Sequence, residues 1–346
     1  MRQLATYAFT NAKVRAMLSY LIDPSTFTGL LDSKNVYELI DILKKTRYGD
    51  IFASASPDSL DLFSLERKLL LNDISIYGKV RDSLSGKKER EFVSILMQRY
   101  EIEDLKVVLR LWHSKEPVKV EDYILGQKIK FDIDYKKIAS AETIEEVIVL
   151  LDKTDYKEPL LVARDKFKST KSLFYLEASL DMDYYNRLIA CIETFSATDK
   201  KIASKILAVE VDSENIQWII KLRKYYGLGL GDMLEWFMPG GSMISKSALR
   251  GLYTTDGIAK VIESVAFGPY LPVKDLAEAN IHLIENFLYE ILLKEVKKAL
   301  GGNPFTIGTV FGYLILKRRE TKNIVSLLYA KAYGVKKEDL PRLINI

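Results

Sequence analysis

The chain has 346 residues, 48% hydrophobic and 28% charged, with 51 Lys and Arg against 47 Asp and Glu for a formal charge of +4. That apolar content excludes a mostly disordered chain, and near balance of charge over this length gives no reason to expect a nucleic-acid partner, which needs a concentrated basic face. The single cysteine excludes an intramolecular disulfide, which fits a reducing compartment.

The opening residues lack a sustained apolar run before Asn11 and Lys13, so no signal peptide is expected. From Tyr7 to Leu21, Phe9, Val14, Met17, Leu18 and Leu21 recur at helical spacing, and Asp23-Pro24 is expected to end that helix. Val36, Leu39, Ile40 and Leu43 then form one apolar stripe followed by Tyr48. Ile144, Val147, Ile148, Leu151 and Tyr156 reproduce that arrangement, and so do Ile258, Val261, Ile262, Val265 and Tyr270. The tyrosines are 108 and 114 residues apart, and Lys-Thr-x-Tyr is shared by residues 45–48 and 153–156. Further helical patterning runs over Leu62–Val80, Leu180–Phe195 and Leu276–Leu300, the last stopped by Gly301-Gly302-Asn303-Pro304. Gln127–Tyr135 alternates weakly and would form at most an edge ribbon. The longest uncharged run, Asn303–Leu316, is 14 residues, short of the about 20 that a spanning helix needs, and reads as a buried helix.

A second element repeats with the first. The pattern acid-x-x-(Asn/Asp)-(Ile/Leu)-x-x-apolar-apolar occurs at Glu101 and Asp104, at Asp212 and Asn215, and at Glu320 and Asn323. Taken from the Asn or Asp, the spacings are 111 and 108 residues. Two unrelated elements with one period and one order imply a chain built three times over. The fold class expected is all-α, with an N-terminal helix in 1–26 and three helical repeat units in 27–126, 127–238 and 239–346.

An acid with Asn or Asp three residues on suits the start of a helix, where backbone N–H groups lack partners and the dipole favours negative charge. The motif is therefore expected to cap and pack, and each tyrosine to bury its ring and reach a backbone carbonyl with its hydroxyl. Bases flank the motifs: Arg110; Lys221, Arg223 and Lys224; Lys317, Arg318, Arg319 and Lys331. They form a solvated helix face or a surface that docks an acidic partner.

Catalytic patterns are missing. Ser85-Gly86-Lys87-Lys88 lacks the leading glycine and the Ser/Thr of a phosphate loop, and Gly227-x-Gly229-x-Gly231 follows no strand. His113 and His282, the two histidines, lie in different repeats without a zinc pattern. No catalytic residue, cofactor, metal or small-molecule substrate is expected, so the chain does not read as an enzyme.

Tyr7-Ala-Phe-Thr-Asn-Ala-Lys-Val-Arg-Ala-Met resembles the opening helix of the C subunit of V/A-type ATPases, called d in eukaryotes. The Asp-Ser-Glu-Asn-Ile and Glu-Thr-Lys-Asn-Ile copies, the helix ending at Arg47-Tyr48-Gly49 and the Pro239-Gly240-Gly241 loop resemble the same family, over essentially the whole chain. Asp104, Trp112 and His113 depart from its pattern. The resemblance implies a funnel of three units around a pseudo-threefold axis, a non-catalytic rotor subunit between the central stalk and the membrane proteolipid ring. It implies a cytoplasmic protein, peripheral to the membrane, whose shaft and ring contacts would fall on Arg110, Lys221, Arg223, Lys317, Arg319 and Lys331. The alternative is a free-standing α-helical repeat scaffold that binds protein partners; an open solenoid would keep its first and third units apart.

Overall fold

The computed structural model describes residues 2–56, 60–221, 230–242 and 281–344. Tyr270 with its stripe, Arg223 and Lys224 lie outside the described residues, as does the side chain of Lys221.

Helix α1 (Arg2–Leu18) buries Tyr7, Thr10 and Val14, while Phe9, one of the apolar residues at helical spacing, is 70% exposed. At about 100° per residue Phe9 sits roughly 200° round the helix from Tyr7, on the opposite side from the i, i+3, i+7 row. Asp23-Pro24 opens a helix as well as following one. Pro24 is the first residue of α2 (Pro24–Asp32), where it has no N–H to lose, and the Asp23 carboxylate accepts from the Ser25 and Thr26 N–H groups. Those hydrogen bonds, with the Thr26 and Ser25 hydroxyls leading, hold its carboxyl far below the usual range.

Helices α3 (Val36–Leu43) and α8 (Ile144–Leu150) carry the repeated stripe, capped by Asn35 and Thr143. All four stripe residues are buried in both copies, with Leu151 following α8 directly. The shared Lys-Thr-x-Tyr has a physical reason. Thr46 Oγ1 donates to the Leu43 carbonyl at 2.7 Å and accepts the Tyr48 N–H at 3.2 Å. Thr154 does the same with Leu151 at 2.8 Å and Tyr156 at 3.1 Å. The threonine locks the turn that aims each tyrosine.

Between these come α4 (Gly49–Phe52), α5 (Leu62–Ser83), α6 (Lys87–Ser114) and α7 (Tyr135–Ser140). After α8 come α9 (Lys157–Thr170), α10 (Phe174–Glu193), α11 (Ala197–Lys221), α12 (Leu230–Glu235), α13 (Ile281–Gly301) and α14 (Ile307–Ala332). Helix α6 packs on α5 and α10, and α11 packs on α10, α13 and α14. Helix α14 returns to the beginning of the chain and packs on α1, α3 and α5. One core runs through most of the chain, and a second joins Leu39, Leu43 and Tyr48 to Ile324, Leu327 and Leu328. First and last segments are thus in direct contact.

The described residues contain no strand, as an all-α chain requires. Residues 127–134 form no ribbon because the Lys130 and Phe131 N–H groups are already taken by the Glu101 carboxylate. The uncharged run supplies the first half of α14, where Ile307–Ile315 is buried throughout. No helix among the described residues is long and apolar enough to cross a membrane.

Candidate functional site

The repeated motif lies in the body of the three longest helices, α6, α11 and α14, not at their starts. That overturns the helix-cap expectation, because mid-helix N–H groups are already bonded within the helix. The motif acids hold other segments instead. Glu101 accepts from the backbone N–H of Lys130 at 3.2 Å and Phe131 at 3.0 Å, and from the Tyr156 hydroxyl at 2.7 Å. Asp212 accepts from the Ser242 N–H at 3.2 Å and its hydroxyl at 3.1 Å. Glu320 accepts from the Ile22 N–H and the Tyr48 hydroxyl, both at 2.5 Å. The tyrosines meet carboxylates, not the carbonyls expected, and burial followed by the acid's charge pushes both hydroxyls far above their ordinary pKa.

In α6 and α11 the second polar residue of the motif grips a linker, and what the linker offers decides between Asp and Asn. Asp104 faces two donors, the Leu125 N–H at 2.8 Å on one oxygen and the Gly126 N–H at 2.9 Å on the other. Asn215 faces one donor and one acceptor: it takes the Met238 N–H at 2.9 Å and gives its amide to the Met238 carbonyl at 3.0 Å. A carboxylate is acceptor-only and an amide is both, so each residue fits its own partner. The same linker turns at Gly240, where φ is +92° and a Cβ would lie 2.6 Å from the Ile189 side chain. Asn323 is buried within α14.

The flanking bases divide. Lys317 is 3% exposed and committed inside, 3.2 Å from Asp73 and 3.7 Å from Glu320, with hydrogen bonds to Tyr48 and Thr321. Lys331 donates to the Leu31 carbonyl at 2.8 Å and to that of Ser33. Neither presents an open charge to a partner. Arg110 forms a two-pronged pair with Glu177 at 2.7 and 2.8 Å, its side chain 54% exposed. Arg319 lies over the Tyr289 ring, 4.3 Å from its centre.

Five residues before the Asn or Asp stand Arg99, Glu210 and Arg318, with the spacing of the motif itself, and these three meet. Arg99 lies 3.0 Å and Arg318 2.7 Å from one Glu210 oxygen, and Arg99 also reaches Glu214 at 3.2 Å. Burial pushes the Glu210 carboxyl up, but Arg318 and then Arg99 outweigh it and hold the group below its usual range. A cavity of about 490 Å³ is lined by this triad together with Glu103, Glu214 and Lys322, one residue before the Asn or Asp in each helix. A neighbouring cavity of about 360 Å³ shares Arg99, Glu103 and Glu214 and adds Lys106, Asp181 and Trp218. No cluster of His, Cys, Asp and Glu suited to a metal occurs among the described residues.

The ATP synthase (C/AC39) subunit family matches residues 10–343 of the chain. The chain belongs to that family. The C subunit of the A-type ATP synthase from Methanocaldococcus jannaschii is 24% identical over 350 residues, covering 99% of this chain and 86% of its own. Its namesake from Pyrococcus abyssi is 25% identical over 346 residues, covering 98% and 90%, and that from Methanobrevibacter smithii is 24% identical over 336 residues, covering 94% and 84%. The chain is therefore a subunit of a rotary ATPase, and not its catalytic one. Sequence reading of this family member missed Arg99, Glu210 and Lys322. Carrying the 111- and 108-residue spacings to every position of the motif helices would have found them.

Proposed function

We propose that the chain is the rotor coupler of its complex, three related units closed around a pseudo-threefold axis, with the stalk shaft lodged in the axial cavity and the wider rim on the proteolipid ring. The observation that carries this reading is the meeting of Arg99, Glu210 and Arg318, one from the same register of each motif helix, at the wall of a cavity of about 490 Å³. Helices related in register that point one position at a common centre are what an axis of approximate symmetry requires. The unit boundaries at 26/27, 126/127 and 238/239 belong to the same proposal: the α6 and α11 motifs hold segments that straddle the end of their own units, at 125–131 and 238–242, and the α14 motif reaches back to Ile22 in the opening segment.

Torque transfer needs contacts that do not yield, and every junction between motif and linker is a carboxylate or amide whose partners are satisfied. Neither a reactive group nor a bound cofactor enters that work. The scaffold alternative lacks support here, because α14 packs on α3 and α5 where an open solenoid would hold its ends apart. Among the flanking bases, Arg110 and Arg319 remain the candidates for partner contact, with Lys221 and Arg223 proposed on sequence alone. The deciding experiment is reconstitution of the purified stalk subcomplex with proteolipid rings, with and without this chain. Stalk retained on rings only when the chain is present is the expected result. Equal retention without it would remove the coupler role and leave the family membership untouched.

A further inference from the structure

The cavity walls match in position but not in charge. One residue before the motif Asn or Asp, α6 offers Glu103, α11 Glu214 and α14 Lys322. Four residues before it, α6 and α14 place Tyr100 and Arg319 on the cavity, whereas α11 buries Val211. The acidic walls are internally compensated: Glu103 lies 2.9 Å from Lys106, and Glu214 3.2 Å from Arg99. The basic wall is not. Among the described residues no carboxylate comes within 4.0 Å of Arg319 or Lys322, and the buried Arg319 Nε has no hydrogen-bond acceptor. Burial lowers the pKa of Arg319 to about 10 against the attraction of Tyr289 and then Glu285, and burial followed by the Arg319 charge lowers that of Lys322 against Glu285 and then Glu214. Glu285 lines the same cavity and attracts both cations from beyond ion-pair distance, so among the described residues neither is directly paired. Two adjacent cations held in a concave site in this way can receive a further anion, and the guanidinium fork suits a planar carboxylate.

We propose that Arg319 and Lys322 form a charge key, in which an acidic side chain at the tip of the stalk shaft seats on the α14 wall alone, so that a cavity with three matching walls accepts the shaft in one orientation out of three. The inference rests on the shaft reading given above. Its physical basis is discrimination by repulsion as well as attraction: turned by a third of a revolution, the same carboxylate would face Glu103 or Glu214. A rotor that slipped between equivalent seats would lose step with the stalk, and the key forbids the slip at the point where the backbone symmetry would allow it.

The test uses the full chain and the purified stalk subcomplex, with affinity measured at several salt concentrations. Lys322→Glu, which breaks no ion pair among the described residues, should weaken binding at least about 10-fold, and Arg319→Gln with Lys322→Gln at least about 30-fold with a shallower salt dependence. Glu103→Gln should stay within about threefold of wild type. Wild-type chain that binds, with Lys322→Glu within twofold of it at low salt, overturns the key alone. Wild-type chain that fails to bind overturns the shaft reading and the key with it. Orientation is read separately with a maleimide photo-crosslinker at Ser213→Cys or Val325→Cys, which line the cavity from α11 and α14. The natural Cys191 is buried with its thiol pushed up to about 11, so the introduced thiol reacts selectively. The two labels should mark different faces of the stalk tip. The same mixture of sites from both would overturn a single orientation.

Discussion

Two junctions of the molecule use one design and differ in chemistry. At the first, Tyr156 donates to Glu101, 55 residues away, and the neighbouring buried position is the neutral Gln98, which accepts from Arg187. At the other, Tyr48 donates to Glu320, 272 residues away, and the position equivalent to Gln98 is Lys317, buried between Asp73 and Glu320. The same hydrogen bond thus joins near neighbours in one place and closes the whole chain in the other. Where the chain is closed, the junction is ionic. Burying those charges costs desolvation that good pairing only offsets, so the closing junction gains little from its ions but loses heavily when one is removed.

The largest effect should come from breaking the ionic junction. Lys317→Met leaves Asp73 and Glu320 buried without their cation and should cost about 3–5 kcal/mol in urea unfolding. Gln98→Met, which removes one accepting amide from Arg187, should cost about 1–3 kcal/mol. Equal losses would erase the contrast between the two junctions. Exchanging the linker grips tests the same logic at the level of a single atom. Asn215→Asp sets a carboxylate oxygen against the Met238 carbonyl, and Asp104→Asn aims an amide at an N–H, so each should lose about 1–3 kcal/mol although each copies another motif's residue. Either swap proving neutral would mean that the linker backbone does not choose the side chain. Tyr48→Phe and Tyr156→Phe should each cost about 1–2 kcal/mol, with Tyr48→Phe the larger because Lys317 and Glu320 both lose a partner.

The smallest effect is a pH dependence at the counterparts Asp73 and Asp181. Burial raises the carboxyl pKa of both against the attraction of Lys317 and Lys106, that of Asp181 from 3.8 to about 6. The folded chain therefore holds the Asp181 proton through a window in which the unfolded chain has released it, and stability falls as pH rises from about 4 to about 6. Subtracting the stability curve of Asp181→Asn from that of wild type should leave a negative slope in that window. A flat difference would show that Lys106 compensates burial in full.

Much of this was legible in the residues. The stripes of Val36 and Ile144 are buried as their spacing requires, and the tyrosines that follow them are buried too. Phe9 is apolar yet exposed, because angular position on α1 and not apolar character alone decides burial and turns Tyr7, Thr10 and Val14 inward. The motif is visible in the sequence but its role is not: a helix start and a mid-helix clamp need the same short polar residues, and only the distant N–H groups of Lys130, Ser242 and Ile22 tell them apart. Lys317 looked like surface for the same reason, since a lysine carries no sign in sequence of the Asp73 that waits 244 positions earlier.

What the sequence by itself determined is the all-α class and the family, because helical periodicity and short motifs are properties of residues near one another along the chain. What only the tertiary structure decided is which polar groups meet. Arg99, Glu210 and Arg318 become a triad, and Arg319 and Lys322 line a cavity with it, once three helices from distant parts of the chain meet. Their charges interact through space at a few ångströms, a distance that position along the chain does not encode.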